Sequence, residues 1–326
     1  GEGEGQLRVA VTEEVVSDVE RSDGWSRRRV LTRGLGGLAG LVVAGAVGFE
    51  LVEHGVLPGK QALDQLDGAC SVDTPPLRFL HAGPSRSGTF DSRARRRPVG
   101  YTVAWPPGHG PGDAVPLVVM LHGFGANHTN ALTSMTPAQA VALEVDGVPL
   151  PPMAMVTVDG GGGYWNPHPH DDPMQMVVGE LVPMCQALNL GRAPQRIGTM
   201  GISMGGYGAL LLAEKYPEVF SAVAAISPAV WTTYAEATGA NAGAYASAAD
   251  FASDDAVTNA ASLASTPVRI ASGLDDPFHP GVVALARSLP KSAVVDISQG
   301  CHTGSFFTAQ EPPSLAFLGT HLSAVR

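Results

Sequence analysis

Basic residues are scarce in this sequence, and lysine is the rarest of them. The chain has three lysines, and its 20 Lys and Arg stand against 30 Asp and Glu, which gives a formal net charge of −10 at pH 7. Proteins that bind nucleic acid usually carry a basic face. The basic cluster SRARRRP at residues 92–98 is typical of a solvated loop before a strand. We therefore expect no nucleic-acid partner.

Cysteine is scarce as well. Cys70, Cys185 and Cys301 are the cysteines, and no two of them have the short spacing of a zinc motif. At most one disulfide can form within the chain, with one thiol left over. Residues 168–172 (HPHDD) contain side chains that can bind metals, but the prolines on both sides of His168 favour a rigid loop, and Asp172 is predicted to cap a helix. We predict no metal site.

The sequence also lacks an apolar run as long as a typical transmembrane helix. The apolar run at residues 34–49 is rich in glycine and ends at Glu50, whereas a membrane span needs about 20 residues. SRRRVL at residues 26–31 precedes it and resembles the twin-arginine export signal. We predict that residues 1–52 are a tail with this signal, and that the protein is secreted or anchored at the outer face of the cell membrane. Cleavage near residues 44–46, retention as a membrane anchor and a buried helix stay open.

From residue 98 onward, strand-like runs alternate with helix-like runs. Several strand-like runs are apolar throughout, which is typical of strands buried on both faces of a parallel sheet. We predict a three-layer α/β fold for residues 98–326, with a mostly parallel central sheet and helices on both faces. Residues 53–97 contain several prolines and many small polar residues, and they are predicted to be a linker and a wrapping arm. The strand-like runs are 99–107, 116–123, 153–160, 196–203, 220–228, 268–276 and 293–302, and the helix-like runs are 137–146, 173–189, 205–215, 281–289 and 314–322.

A glycine-rich turn surrounds one serine in GISMGGYGALLLAEKYP (residues 201–217). Ser203 stands in a Gly-x-Ser-x-Gly pattern between Gly201 and Gly205, after a strand-like run and before a helix-like run. In such a turn the serine lies on a strained strand-to-helix connection, where neighbouring side chains would collide with other elements. The bare pattern is weak evidence in a chain with 40 glycines. Its position between a strand and a helix favours a nucleophile at Ser203.

A serine nucleophile needs a general base and an acid that orients the base. Asp275 and Asp276 follow one strand-like run, and His302 follows the next. The chain order of serine, aspartate and histidine is that of an α/β-hydrolase triad. A Gly-x-x-Asp turn favours Asp276 over Asp275 as the acid. His302 is predicted to be the base, since the alternative, His279, lies in the acid loop.

Two backbone N–H groups must also stabilise the oxyanion. Met204, directly after the serine, is predicted to supply one. The loop HGFG at residues 122–125 follows an early strand-like run, and its glycines allow the backbone to approach a substrate closely. Phe124 is predicted to supply the second N–H, with Gly123 as the alternative donor and as part of the substrate site. His122 is expected to make hydrogen bonds within this loop.

The aromatic residues near these turns are candidates for the substrate pocket. Tyr164 and Trp165 lie in the loop DGGGGYWNPHPHDD (residues 159–172), and Trp231 follows the strand-like run at 220–228. We predict that these three residues border the pocket. Phe306 and Phe307 are expected to lie in the core.

The motifs LHGFGAN, VDGGGGYWNPH, SGLDDPF and GCHTGSFF, together with the serine turn, resemble one esterase family of the α/β-hydrolases. That family includes S-formylglutathione hydrolases, feruloyl esterases and secreted mycolyltransferases, and the likeness is strongest to exported actinobacterial esterases. The resemblance covers about residues 98–324 and implies the α/β-hydrolase fold, a Ser203–Asp276–His302 triad and oxyanion donors at Phe124 and Met204. Mycolyltransferases use glutamate as the acid and S-formylglutathione hydrolases are normally cytosolic, so neither specific activity is carried over.

The sequence therefore predicts a serine carboxylic-ester hydrolase that works through an acyl-enzyme and needs no cofactor. Its expected substrate is a small-molecule or lipid ester. Transfer of the acyl group to a sugar or lipid hydroxyl is the alternative within the same chemistry. A non-catalytic envelope binding protein on the same scaffold is the alternative from another class. The acyl length, the alcohol and the oligomeric state stay open.

Overall fold

The fold is described from a computed structural model of the chain, for residues 68–323. The predicted amino-terminal tail lies outside the described residues, so its export signal and any membrane association stay predictions. Among residues 68–323, no helix has the length and apolar character needed to cross a membrane.

Eight strands form the central sheet, in the spatial order β11-β10-β9-β8-β4-β7-β3-β2. The six strands from β11 to β7 run parallel, while β3 is antiparallel to β7 and β2 is antiparallel to β3. A smaller antiparallel sheet has the order β1-β5-β6. The strands are β1 (Arg78–Phe79), β2 (Ser85–Ser92), β3 (Arg97–Ala104), β4 (Leu117–Leu121), β5 (Leu143–Val145), β6 (Val148–Pro149), β7 (Ala154–Val158), β8 (Ile197–Ile202), β9 (Phe220–Ile226), β10 (Val268–Gly273) and β11 (Val294–Ser298).

Helices cover both faces of this sheet, as the apolar strands predict. One face packs against a core that includes Tyr207 and Leu211 of α4, and the other packs against a core that includes Leu315 and Leu318 of α9. The helices are α1 (Pro137–Ala140), α2 (Pro173–Met176), α3 (Val182–Ala187), α4 (Met204–Lys215), α5 (Tyr234–Ala240), α6 (Ala248–Ser253), α7 (Ala256–Asn259), α8 (His279–Ser288) and α9 (Gly304–Leu322), with a π-helical turn at Val177–Leu181 and a 3₁₀ turn at Ala260–Leu263. The predicted three-layer α/β fold is confirmed.

The sheet extends further towards the amino terminus than predicted. Residues Ser85–Ser92, which we assigned to a linker, form strand β2 and pair with β3 from Ser85–Ala104 to Ser92–Arg97. The sequence SRSGTFDS has too few apolar residues to show the alternation of a strand. Because β2 lies at the edge of the sheet, it can be polar without exposing a core face.

The predicted helix over residues 137–146 is only partly present. Helix α1 ends at Ala140, and residues 143–149 form a hairpin of β5 and β6. Asp146 and Gly147 form its two-residue turn with φ of 53° and 76°. Asp-Gly is a strong signal for a hairpin of this kind. It outweighs the helix-like apolar pattern of the residues before it. The last helix is longer than the predicted 314–322, because it begins at Gly304 and continues through Pro312 and Pro313.

Candidate active site

Ser203 lies between the end of strand β8 and the start of helix α4. Its backbone has φ of 57° and ψ of −120°, in the left-handed half of φ space. Residues with a side chain rarely adopt this conformation, and where they do the strain is often found at functional sites. The Ser203 amide donates to Ile226 O, and the Ser203 carbonyl accepts from Tyr207 and Ala229. The predicted strand, turn and helix are all present.

The glycines of this turn allow the backbone of three elements to approach closely. A Cβ atom at Gly201 would lie 2.1 Å from the carbonyl oxygen of Gly205. A Cβ atom at Gly205 would lie 2.0 Å from the carbonyl oxygen of Leu121, at the end of β4. Real Cβ atoms do not come this near to a backbone oxygen, so only glycine fits at both positions.

Ser203, His302 and Asp276 form a continuous chain of hydrogen bonds. The Ser203 Oγ is 2.9 Å from His302 Nε2, and His302 Nδ1 is 2.9 Å from Asp276 Oδ2. The Asp276 side chain is fully buried, while that of His302 is 19% exposed. The other Asp276 oxygen, Oδ1, accepts the Phe278 backbone N–H at 2.8 Å. This arrangement can move a proton from the hydroxyl to the imidazole while the carboxylate holds the other ring nitrogen.

The sheet topology explains why three residues distant in sequence meet here. Ser203 follows β8, Asp276 follows β10 and His302 follows β11, and these strands are parallel. The carboxyl ends of parallel strands lie at one edge of a sheet, which is the usual place for a ligand site in α/β proteins. The structure brings Asp276 to His302, which favours this residue over Asp275.

The loop after β4 reaches the same edge and contacts the serine turn. A Cβ atom at Gly123 would lie 3.3 Å from Ile202 O and 3.7 Å from Ser203 Cβ. His122 fixes this loop: its Nε2 accepts the Gly160 N–H, so the proton is on Nδ1, which donates to Gly123 O at 2.8 Å. Burial lowers the pKa of His122, which keeps the ring neutral. The predicted structural role of His122 within the loop agrees with these bonds.

A cavity of about 400 Å³ opens beside Ser203. Its walls combine apolar side chains with a few polar ones, as is usual for small-molecule sites. The Phe124 ring stands at this cavity and is 64% exposed. The residues lining the cavity are Gly123, Phe124, Ala126, Asn130, Ala131, Thr133, Ile202, Ser203, His302 and Phe307.

Comparison with known proteins gives one family match. Residues 92–286 match the family model described as "Putative esterase". The chain belongs to this family. Membership makes the protein a carboxylesterase-type hydrolase. No curated protein matches the sequence significantly.

Several solved structures share the fold. An S-formylglutathione hydrolase from Agrobacterium tumefaciens is similar with a TM-score of 0.59 and 18% identity, over 77% of this chain and 100% of that chain. A ferulic acid esterase is similar with a TM-score of 0.57 and 16% identity, over 73% and 98% of the two chains. MPT51 from Mycobacterium tuberculosis has a TM-score of 0.53 and 18% identity, over 76% and 99%. At these identities the likeness shows the fold.

None of the three aromatic residues predicted to border the pocket lines the cavity beside Ser203. Trp165 is 1% exposed, packs against Gly160 and Gly208, and donates from Nε1 to His122 O at 3.3 Å. Its prediction as a pocket wall is wrong, because the indole is buried in the core beside the loop that follows β4. Tyr164 is also buried, and its ring lies 6.5 Å from that of Trp231. Neither of these two rings lines the cavity beside Ser203.

Phe307, which the sequence predicts to lie in the core, instead lines the cavity, and the loop after β4 supplies further wall residues that the sequence did not reveal. The Phe307 ring lies edge-on to the His302 ring with centroids 5.0 Å apart, whereas Phe306 is buried in the core as expected. Asn130 and Thr133 also line the cavity. Glu311 of helix α9 accepts hydrogen bonds from Thr133 N and Ser134 Oγ and so holds this wall from behind. Nothing in the local pattern around Asn130 and Thr133 marks them as site residues.

The candidate metal ligands serve structural contacts. Asp172 caps helix α2 by accepting the Gln175 N–H, as predicted, and Asp171 pairs with Arg95 and Arg97. Within the described range 68–323, no group of three or more His, Cys, Asp or Glu side chains could hold a metal ion.

Proposed function

We propose that the protein hydrolyses carboxylic esters through an acyl-enzyme on Ser203. The single observation that carries this proposal is the hydrogen-bond chain from Ser203 through His302 to Asp276 at the wall of a cavity. Ser203 Oγ attacks the ester carbonyl carbon while His302 Nε2 takes the hydroxyl proton. Asp276 holds the Nδ1–H of His302 and stabilises the imidazolium that forms.

The oxyanion is stabilised by the backbone N–H groups of Phe124 and Met204. Neither amide has a hydrogen-bond partner among residues 68–323. The carbonyl of Gly123 is engaged by His122 Nδ1 and by Ala126 N. Since the C=O and N–H of one trans peptide point in opposite directions, the Phe124 N–H faces away from His122. Met204 begins a helix of 12 residues, whose amino-terminal end favours negative charge.

The acyl-enzyme forms when the tetrahedral intermediate collapses and His302 gives its proton to the leaving alcohol. Water then enters, His302 takes one of its protons, and the second tetrahedral intermediate releases the carboxylic acid and restores Ser203. The apolar walls formed by Phe124, Ile202 and Phe307 suit an apolar part of a small ester. An acceptor alcohol in place of water would give acyl transfer, and product analysis with added alcohol separates the two.

A fluorophosphonate probe and p-nitrophenyl esters of increasing chain length test the proposal. We expect the wild type to be labelled and to release p-nitrophenol, and we expect Ser203→Ala to lose both signals. Ser227→Ala is a matched control, because Ser227 is a buried serine whose Oγ has no hydrogen-bond partner among the described residues. Equal labelling of folded Ser203→Ala and wild type would exclude the proposed nucleophile. The chain-length series then gives the acyl size that the site accepts.

A further inference from the structure

We propose that the disulfide between Cys70 and Cys301 is a positioning element for His302. It ties a segment 231 residues earlier in the chain to the residue directly before His302. This inference rests on the proposed function, in which His302 is the general base. The disulfide acts by holding the His302 imidazole in place, without contacting the substrate. Cys70 and Cys301 are therefore positioning residues for the base.

The loop that carries His302 is short and is held on one side by the acid loop. Strand β11 ends at Ser298 and helix α9 begins at Gly304, which leaves five residues between them. Leu274 N donates to Ser298 O at 2.9 Å, and Asp275 N donates to Gly300 O at 3.0 Å. These bonds align the backbone before His302 with the loop that contains Asp276.

The segment at residues 68–72 holds the other side of this loop. The Cys70 and Cys301 Cα atoms are 4.9 Å apart, and both side chains are buried. A Cβ atom at Gly300 would lie 3.0 Å from Val72 Cγ2, so Val72 packs directly on the backbone of the histidine loop. The disulfide therefore links residues 68–72 covalently to the histidine loop, within a small buried contact between these two segments.

Two aromatic rings and one backbone hydrogen bond act directly around His302. The Phe278 and Phe307 rings contact the imidazole edge-on, with centroids 5.1 and 5.0 Å away, and they orient the side chain. Thr303 N donates to Cys301 O at 2.8 Å, which closes a tight turn around His302. Because Cys301 is one end of this turn, the disulfide anchors the turn itself.

The position of the turn matters because His302 must serve two partners at once. Its two ring nitrogens each lie 2.9 Å from an oxygen, one on Ser203 and one on Asp276. A misplacement of about 1 Å at a reacting group can lower a rate by about 100-fold. Among residues 68–323, no disulfide or backbone hydrogen bond joins Cys70 to the serine turn or to the loop after β4, so we expect the geometry of both to survive loss of the disulfide.

The test compares Cys70→Ala/Cys301→Ala with Cys185→Ala, which removes the buried free thiol. We expect kcat of the double variant for p-nitrophenyl acetate to fall roughly 10- to 100-fold, while KM changes less than about twofold. Cys185→Ala should keep both constants near wild type. Wild-type kcat in a folded double variant, with only thermal stability lowered, would overturn the inference.

A double-mutant cycle with His302→Ala separates positioning from a general structural role. If the disulfide acts through His302, its removal in the His302→Ala background should change the residual rate less than about twofold. The same relative loss of rate in both backgrounds would overturn the inference.

If the double variant does not fold, a second experiment uses the native wild type. The protein is reduced with a phosphine, its free thiols are counted by mass spectrometry, and kcat is measured before and after reoxidation. Unchanged kcat in fully reduced protein would also overturn the inference. Full activity of His302→Ala would instead defeat the proposed function.

Discussion

The serine turn and the histidine loop stand side by side, but different contacts hold them in place. At residues 201–206 the backbone of β8, α4 and the end of β4 packs with no side chain between, because Gly201 and Gly205 leave no room for one. At residues 299–303 the backbone also packs closely on a glycine, since a Cβ atom at Gly273 would lie 2.2 Å from Gly300 O. It makes further contacts with Cys70, Val72 and the acid loop. The position of Ser203 is therefore set by close backbone contacts and backbone hydrogen bonds within the sheet, whereas the position of His302 also involves a disulfide to a segment 231 residues earlier in the chain.

The strongest way to break the serine turn is Gly205→Ala. The added Cβ would lie 2.0 Å from Leu121 O, and neither backbone can move without disturbing the β4–β8 pairing. We expect little soluble protein, or esterase activity lowered by more than about 1,000-fold, since a buried glycine in direct contact with backbone is among the most sensitive positions. Yield, circular dichroism and p-nitrophenyl ester hydrolysis measure this.

Gly239→Ala is the matched control for that substitution. Gly239 lies in helix α5, and a Cβ there would have no neighbour within 4 Å. It should fold and keep wild-type activity. A folded Gly205→Ala enzyme with wild-type kcat would contradict the view that close backbone packing sets the position of Ser203.

On the histidine side, Asp276→Asn removes the carboxylate from the hydrogen-bond chain. An amide can present an N–H to His302 Nδ1 and so favour the wrong tautomer, with no negative charge to stabilise the imidazolium. We expect kcat to fall by roughly 10³- to 10⁴-fold with little change in fold. Asp275→Asn is the control, and we expect it to keep kcat within about tenfold of wild type because the bond to His302 comes from Asp276. Equal losses of kcat in Asp276→Asn and Asp275→Asn would show that the assignment of Asp276 as the acid is wrong.

The smallest expected effect concerns the far end of the helix that begins after Ser203. Burial, and then the nearby Asp255, raise the pKa of Glu214 to about 9, against the opposing effect of Lys215. Neither carboxyl oxygen of Glu214 has a hydrogen-bond partner among the described residues. Between about pH 4.5 and pH 9 the folded state holds a proton that the unfolded state releases, so Glu214 lowers stability as pH rises through this window.

Glu214→Gln should remove this pH dependence without changing the chemistry. We expect the free energy of unfolding to rise on the order of 2 kcal/mol at pH 8 and to change little at pH 5, with kcat unchanged. Urea unfolding at the two pH values measures it. An equal difference in the free energy of unfolding at both pH values would argue against a protonated Glu214. A changed kcat would show that the carboxyl-terminal end of helix α4 influences Ser203.

Much of the fold was predictable because its signals are local. Each of the seven strand-like runs coincides with a strand. Strands β4, β7, β8 and β10 are buried over their whole length, which explains their continuous apolar runs. Strand β2 was not predicted, because its eight residues SRSGTFDS lie at a polar edge. The last helix was predicted too short, since Pro312 and Pro313 argue against a helix in any local reading.

The candidate site shows the same difference between residues with local sequence signals and residues without them. The order of Ser203, an aspartate and His302 at three strand ends is readable from the sequence, because each follows its own strand and turn signal. Phe307, Asn130 and Thr133 at the cavity were not predicted, and Trp165 was placed at the wrong surface. Which side of a loop faces a cavity depends on what packs behind it, and the sequence does not contain that information locally.

The sequence by itself determined the three-layer fold and the serine turn, because periodicity and steric demands for glycine act over a few residues. The tertiary structure joined Asp276 to His302, paired Cys70 with Cys301 and shaped the cavity. These features join segments that are between 26 and 231 residues apart in the sequence. Such segments come together only when the whole sheet assembles.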